Sequence, residues 1–154
     1  MFAQWQSFIK KLYERDDLKI RLEDDMNELI FEIHSTYAHK KVEIDLTVDP
    51  TIDLDLDTAI PFGLILNELV TNAFKYGFPN DRENTLTVNV SNESDFYSLV
   101  VSDNGDGIVR KETEVIGLHL VKRLTKQLMG AFSCENENGG KFTVIFKYTA
   151  MRFN

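Results

Sequence analysis

LILNELVTNAFKYG, residues 64–77, has the leucines of a buried helix and three polar residues that fall on one side of it. Glu68, Asn72 and Lys75 stand at i, i+4 and i+7, so a helical projection places them within a narrow arc opposite the apolar residues. An arc of this kind is most often the solvated face of an amphipathic helix, and by itself it assigns no function.

The segments around this helix predict a single α+β domain with a mixed, mostly antiparallel sheet and helices on one face. No linker or internal repeat divides the chain. The predicted elements are a short apolar-striped helix over 2–13, a helix over about 22–38, a strand over 40–48, a short extended piece at 52–56, the central helix from Thr58 or Pro61 to Gly77, a hairpin over 85–90 and 96–103, a helix over 117–130 that ends at Gly130, and a further turn and strand over 135–149.

Composition limits the classes of function. The 154 residues are 43% hydrophobic, enough for one core, and the net charge of −8 argues against broad adhesion to nucleic acid or to anionic membranes. Cys134 is the only cysteine and the three histidines are far apart, so neither a disulfide framework nor a zinc site is predicted. The first residues lack the features of a secretory signal, which predicts a cytoplasmic location.

A second motif, SDNGDGI at 102–108, follows a β-rich run. Asn and Gly suit an ordinary turn, and a turn alone would explain the stretch. A functional interpretation is that Gly105 and Gly107 let backbone approach a flat ligand while Asp103 accepts a hydrogen bond from it. A carboxylate that accepts from an exocyclic amine would select adenine over guanine.

Two weaker motifs come later in the chain. In IGLHLVKRL, Gly117 opens a helix whose free amides could bind phosphate. ENGGK, at 137–141, is most simply a hairpin turn. Neither motif is specific alone, but the order of all four is hard to obtain by accident.

In this order the motifs resemble the catalytic ATP-binding domain of sensor histidine kinases, from about Leu12 to Phe146. This is the GHKL superfamily, shared with DNA gyrase, a heat-shock chaperone and a mismatch-repair ATPase. LNELVTNAFKYGF is similar to its N box, DNGDGI and GLHLVKRL to its glycine boxes, and GGKFTVIF to its last box. The resemblance implies the Bergerat fold, a two-layer α/β sandwich. It is closer to a short-lid subfamily with Glu in the N box (HWE-like kinases).

The resemblance also implies roles for individual residues. Asn72 would offer an oxygen to Mg²⁺ beside ATP, and Glu68 would orient or deprotonate the nucleophile or hold a metal-bound water. Lys75 would offset phosphate charge and Tyr76 would flank the nucleotide. The remaining roles are adenine recognition by Asp103, a pocket shaped by Gly105 and Gly107, and phosphate binding by the helix amides at Gly117 and Leu118.

The sequence departs from the family in three places. Nine residues separate Gly107 from Gly117, a short lid that would hold ATP loosely. His119 is interpreted as a surface or groove histidine rather than a catalyst. Gly140 and Lys141 stand where a hydroxyl residue is usual, which removes one expected hydrogen bond.

The family's phosphorylated histidine belongs to a preceding helical hairpin, and neither His34 nor His39 is nominated as that acceptor. Residues 1–16 are interpreted as a remnant of the dimerisation and phosphoacceptor domain, and 17–150 as the catalytic domain. The acceptor would be a histidine-bearing domain in cis or in trans, with a response regulator downstream; a fragment of a longer kinase is favoured. Two alternatives stay open: a serine kinase of the anti-sigma-factor type, and a non-catalytic nucleotide-sensing or adaptor module.

Overall fold

The computed structural model describes residues 22–78, 83–105, 116–136 and 139–147, together with Gln6 and Lys10. The predicted helix over 2–13, residues 1–16 as a separate domain and Gly107 therefore lie wholly or mostly outside the described residues. The elements are α1 (Leu22–Thr36), β1 (Val42–Val48), α2 (Leu56–Asn72), a π-helical turn (Ala73–Gly77), β2 (Asn84–Asn92), β3 (Phe96–Asp103), α3 (Ile116–Gln127), β4 (Ala131–Asn136) and β5 (Gly140–Lys147).

The described strands form one sheet in the order β1-β2-β3-β5-β4. Strand β1 pairs with β2 in parallel, and the other three pairings are antiparallel, which confirms the predicted mixed sheet. The β3–β5 register sets Ser102 opposite Lys141, so the last residue of β3, Asp103, reaches the first residue of β5, Gly140. This register brings two distant motifs to one edge of the molecule.

The core lies between the sheet and the helices. Alternate residues of β2 and β5 are buried, as the period of two requires when one face of a strand is packed; β3 follows the same alternation except that Ser98 is also buried. Helix α2 supplies the largest share of the apolar side chains, with α1 and α3 packed against it. The fully buried residues of α2 include Phe62, Ile65, Leu66, Leu69 and Val70.

Helix α2 begins earlier than the sequence predicted. The side chain of Asp55 accepts a hydrogen bond from the amide of Thr58 at 3.2 Å, which caps the helix and starts it at Leu56. Pro61 consequently lies inside the helix rather than at its start. The extended piece expected at 52–56 joins no strand: Ile52 and Leu54 are buried, Asp55 has an extended backbone, and Leu56 already belongs to α2.

The end of α3 shows a second departure. The amides of Met129 and Gly130 donate to the carbonyls of Lys126 and Thr125, a Schellman pattern in which Met129 takes the left-handed conformation (φ 54°) that Gly130 was expected to supply. Position 130 requires glycine for a different reason: a Cβ there would lie 1.7 Å from the carbonyl oxygen of Ile145.

Two other differences are smaller. Helix α1 ends at Thr36, two residues before the predicted end. Strand β4 was not predicted. None of its six residues is fully buried, and its sequence carries only a weak alternation of apolar and polar residues. No helix among the described residues is long and apolar enough to cross a bilayer.

Candidate functional site

The site begins where α2 changes into a π-helical turn. Ala73–Gly77 continues the helix with wider hydrogen bonding, and such segments are frequent at functional sites. Lys75 and Tyr76 are exposed in this turn, whereas Gly77 is buried. The helix therefore ends at the predicted residue.

Asp103, the last residue of β3, is fixed by backbone amides. Its Oδ1 accepts hydrogen bonds from the amide of Gly105 at 2.9 Å and from the amide of Gly140 at 3.2 Å. The second bond joins the DNGDG motif to the GGK motif. The donor of this bond is a backbone amide at Gly140, one of the two positions where the resemblance led us to expect a hydroxyl side chain.

Three glycines surround this aspartate, and each lacks room for a side chain. A Cβ on Gly77 would lie 2.9 Å from Oδ2 of Asp103, and one on Gly105 would lie 1.5 Å from the carbonyl oxygen of Gly77. A Cβ on Gly139, whose φ is +133°, would lie 1.9 Å from the carbonyl oxygen of Asp103. The structure thus brings the end of α2, the end of β3 and the β4–β5 turn into contact.

The polar arc is only partly solvated, because Lys75 is exposed, Asn72 is half-buried and Glu68 is buried. Glu68 is only 6% exposed, and burial raises the pKa of its carboxyl above the usual range, while the nearby Lys75 ammonium lowers this pKa in part. A buried carboxylate beside one exposed lysine is the kind of perturbed group that clusters at functional sites. The predicted proximity of Glu68 and Lys75 is confirmed.

Asn72 ends α2 in a half-buried position one turn after Glu68. Its Nδ2 atom is buried and has no hydrogen-bond partner among the described residues. Buried amide atoms usually have partners. Because Asn67 on the same helix also has amide atoms without a partner in the described part of the chain, it is the place of Asn72 one turn after Glu68 that makes it a candidate for a polar ligand. Rotation about the last side-chain bond exchanges the amide nitrogen and oxygen, so either atom can face a ligand.

The remaining predicted residues lie on α3 and on the π-helical turn. Gly117 lies in the first turn of α3, and the Leu118 side chain is buried in the core, so Leu118 can contribute only its backbone to a ligand. Tyr76 is 53% exposed and lies near Tyr37, whose pKa is raised first by burial and second by Tyr76. His119 is exposed, in line with its interpretation as a surface residue.

Sequence reasoning missed three residues of the site. Gly77 was seen only as a helix end and Gly139 only as a turn residue. Asn104 holds the DNG turn to β2, because its Oδ1 accepts from the Thr85 amide at 2.8 Å and its own amide donates to the Thr85 carbonyl. Nothing local in the sequence signals these contacts, which depend on how the strands pair.

The order of these elements and the aspartate held among glycines match a known family. A family model described as histidine kinase-, DNA gyrase B- and HSP90-like ATPase matches residues 57–150, more than half of the chain. The chain belongs to this ATPase family. Use of ATP is thereby implied, and the expected GHKL membership is confirmed.

Individual relatives agree with the assignment to this ATPase family. The sensor protein LytS of Staphylococcus epidermidis is 37% identical over 70 residues, which is 45% of this chain but only 12% of that protein. The histidine kinase domain of the blue-light activated histidine kinase EL346 from Erythrobacter litoralis superposes with a TM-score of 0.81 at 16% identity, covering 98% of this chain and 76% of that domain. The histidine kinase AdeS of Acinetobacter baumannii gives 0.68 at 17% identity, covering 96% and 75%.

At such identities, the structural neighbours establish the fold alone. They confirm the predicted α+β sandwich, the Bergerat fold of histidine-kinase catalytic domains. Family and fold together make the chain an ATPase domain of the histidine kinase-, DNA gyrase B- and HSP90-like family.

Proposed function

We propose that the chain is the ATP-binding catalytic domain of a two-component sensor histidine kinase, which transfers the γ-phosphoryl group of Mg-ATP to a histidine outside this chain. The observation that carries the proposal is the Asp103 carboxylate. It is held by the amides of Gly105 and Gly140 against Gly77, at the end of the helix that carries Glu68 and Asn72.

Asp103 is the proposed adenine-recognition residue. The backbone bonds leave the carboxylate little freedom, so its orientation is set before a ligand arrives, and preorganisation of this kind favours binding. An ionised carboxylate only accepts hydrogen bonds, which suits the adenine amino group and opposes the guanine carbonyl. Gly105 and Gly107 would let the ring approach the backbone.

Asn72 is the proposed protein ligand of Mg²⁺. Among the described residues no three of His, Cys, Asp or Glu are grouped so as to hold a metal, so the ion would rely on phosphate oxygens, water and few protein atoms. The side-chain amide oxygen of Asn72 could take this role, because a neutral oxygen ligand adds no negative charge beside the phosphates. When bound, the ion would neutralise phosphate charge.

In the proposed transfer, an imidazole nitrogen of the acceptor forms a bond to the γ-phosphorus and the bond from that phosphorus to the β–γ bridging oxygen breaks, releasing ADP. Glu68 orients the nucleophile or takes its proton, a role for which a raised pKa is suited. Lys75 offsets phosphate charge, and the amides at Gly117 and Leu118 bind phosphate at the start of α3. Tyr76 flanks the nucleotide.

Within the histidine kinases, we place the chain in the short-lid subfamily with Glu in the N box. Support comes from the burial of Glu68 on α2 and from the nine residues between Gly107 and Gly117. The similarity to LytS, named a sensor protein, supports a place within a larger sensor. The proposed partners are a histidine-bearing dimerisation domain, in cis or in trans, and a response regulator in the cytoplasm.

Phosphoryl transfer tests the proposal directly. The chain is incubated with radiolabelled Mg-ATP and a separate histidine-bearing hairpin domain, and with the same hairpin carrying alanine in place of that histidine as the control. Label that is labile to acid and stable to base supports histidine transfer. Label with the opposite stability indicates the serine kinase alternative and contradicts the proposal.

Calorimetry separates the non-catalytic alternative. Heat of binding with Mg-ATP but not with Mg-GTP is expected from the Asp103 site. Binding without transfer to any acceptor would favour the nucleotide-sensing module. If neither nucleotide bound, the chain would share the fold of the family without its nucleotide binding.

A further inference from the structure

Lys40 lies in the connection between α1 and β1, outside every motif singled out in the sequence. Its Nζ donates hydrogen bonds to the carbonyl oxygens of Phe74 and Phe78, the latter at 3.1 Å. The partners are 34 and 38 residues away in the chain. The half-buried side chain of Lys40 therefore links the α1–β1 connection to the π-helical turn at the end of α2.

The two carbonyls flank the last three residues of the π-helical turn. The last carbonyls of a helix have no partner within it, and an ammonium group there satisfies them and interacts favourably with the negative end of the helix dipole. Between Phe74 and Phe78 stand Lys75, Tyr76 and Gly77. Whatever fixes the bracketing carbonyls also fixes the residues between them.

Gly77 transmits this position to the adenine side of the site. A Cβ on Gly77 would lie 2.9 Å from Oδ2 of Asp103, and the Gly77 carbonyl lies directly against Gly105. At these distances Gly77 cannot shift without displacing its neighbours, because packed interiors respond to shifts of a fraction of an ångström. A displacement of the turn would displace the carboxylate.

Lys40 is itself held firmly. Its amide donates to the Tyr37 carbonyl at 3.0 Å, and the Tyr37 ring stacks on Phe74 at 5.5 Å between ring centroids. The next residue, Lys41, accepts at its carbonyl from Nδ2 of Asn84 at 3.1 Å. The segment therefore joins α1, the π-helical turn and the start of β2.

We propose that Lys40 is a positioning residue for the nucleotide site: its two hydrogen bonds set the π-helical turn against Asp103. The proposal rests on ATP being the ligand of that site. It adds a residue that is distant in sequence from the motifs of the site.

The test compares Lys40→Met with Lys41→Met. Both substitutions remove one positive charge, and both residues line the same open groove of about 440 Å³ beside β1 and β2. Only Lys40 bridges the two carbonyls. ATP affinity is measured by titration at a temperature where both variants are folded. It is expected to fall by about tenfold for Lys40→Met, which removes both charge-assisted bonds to the turn. Lys41→Met should bind like the wild type.

A second readout separates positioning from a general loss of stability. Amide hydrogen exchange over 73–78 should accelerate in Lys40→Met while exchange in β5 stays unchanged, and Lys40→Arg, which keeps the charge and the donors, should restore most of the affinity. If Lys40→Met fails to fold, Lys40→Gln, whose shorter amide can reach only one carbonyl, should still lower affinity by about threefold.

Unchanged ATP affinity in the folded Lys40 variants overturns the inference and leaves the proposed function standing. An equal loss in Lys41→Met also overturns it, because charge alone would then explain the effect. A wild-type chain that fails to bind ATP removes the proposed function and, with it, the inference.

Discussion

Gly77 and Asp103 are in contact although 26 positions separate them in the chain: a Cβ on Gly77 would lie 2.9 Å from Oδ2 of the aspartate. The contact joins the turn after α2 to the end of β3. On its other side the aspartate accepts from Gly105 and Gly140. The half-buried carboxylate is thus bordered by glycine backbone on these sides.

Gly77→Ala is expected to push this carboxylate out of position. The added methyl group must displace Oδ2, and overpacking of this kind typically costs about 1 to 3 kcal/mol of unfolding free energy. ATP affinity should fall as well. Chemical denaturation and nucleotide titration measure the two effects. In the double variant Gly77→Ala with Asp103→Ala the stability loss should shrink, since the colliding group is gone; equal losses in both backgrounds would contradict the contact.

Asp103→Asn keeps the shape of the side chain and its acceptor oxygen but removes the charge. The backbone bonds from Gly105 and Gly140 can persist, so the fold should be retained. ATP binding should weaken by roughly 1 to 3 kcal/mol, the range for a hydrogen bond to a charged group. Asp95→Asn, an exposed carboxylate in the β2–β3 turn, is the matched control. Unchanged ATP affinity in Asp103→Asn would place the adenine site elsewhere.

The sequence predicted the elements of this fold well because hydrophobic periodicity is a local property. The alternation in β2, β3 and β5 and the apolar face of α2 each follow from residues close together in the chain. The gathering of Gly77, Gly105 and Gly139 around Asp103 does not. It depends on the register of β3 with β5, which joins residues about forty positions apart and leaves no local pattern.

Local exceptions were equally hidden. The π-helical turn breaks the 3.6-residue period only after the helix is established, and a single lysine from another connection, Lys40, satisfies its end. Met129 occupies a left-handed position where glycine is the usual residue. Glu68 was placed on the correct arc, but its burial, and therefore its raised pKa, followed from packing that the sequence does not display.

Glu68→Gln is expected to change both stability and activity, in opposite directions. Because burial raises the pKa of Glu68 in the folded state above its unfolded value, the folded protein binds more protons, and this group's contribution to stability is lost as pH rises from the unfolded pKa through the folded one. Above that window the buried charge destabilises the wild type. The neutral glutamine should therefore raise the melting temperature at neutral pH and show little gain well below the window.

Phosphoryl transfer by Glu68→Gln should fall by about 10²- to 10⁴-fold, the usual contribution of a general acid or base. The control is Glu93→Gln, an exposed carboxylate in the β2–β3 turn. Melting curves across a pH series and transfer rates to the hairpin domain are measured on the same samples. A wild-type pH profile of stability in Glu68→Gln would show that the carboxyl does not titrate abnormally.

Asn72→Ala should abolish transfer while leaving the fold cooperative. The orphaned Nδ2 of Asn72 has no hydrogen-bond partner among the described residues, so its removal strands no other described group, and the stability change should stay within about 1 kcal/mol.

Asn67→Ala is the matched control on the same helix. Asn67 is fully buried and neither amide atom has a partner among the described residues, yet it is no part of the proposed site. Its substitution should preserve transfer and its Mg²⁺ dependence. Transfer retained by Asn72→Ala with an unchanged Mg²⁺ requirement would remove Asn72 from the metal role, because no substitute oxygen is supplied by alanine.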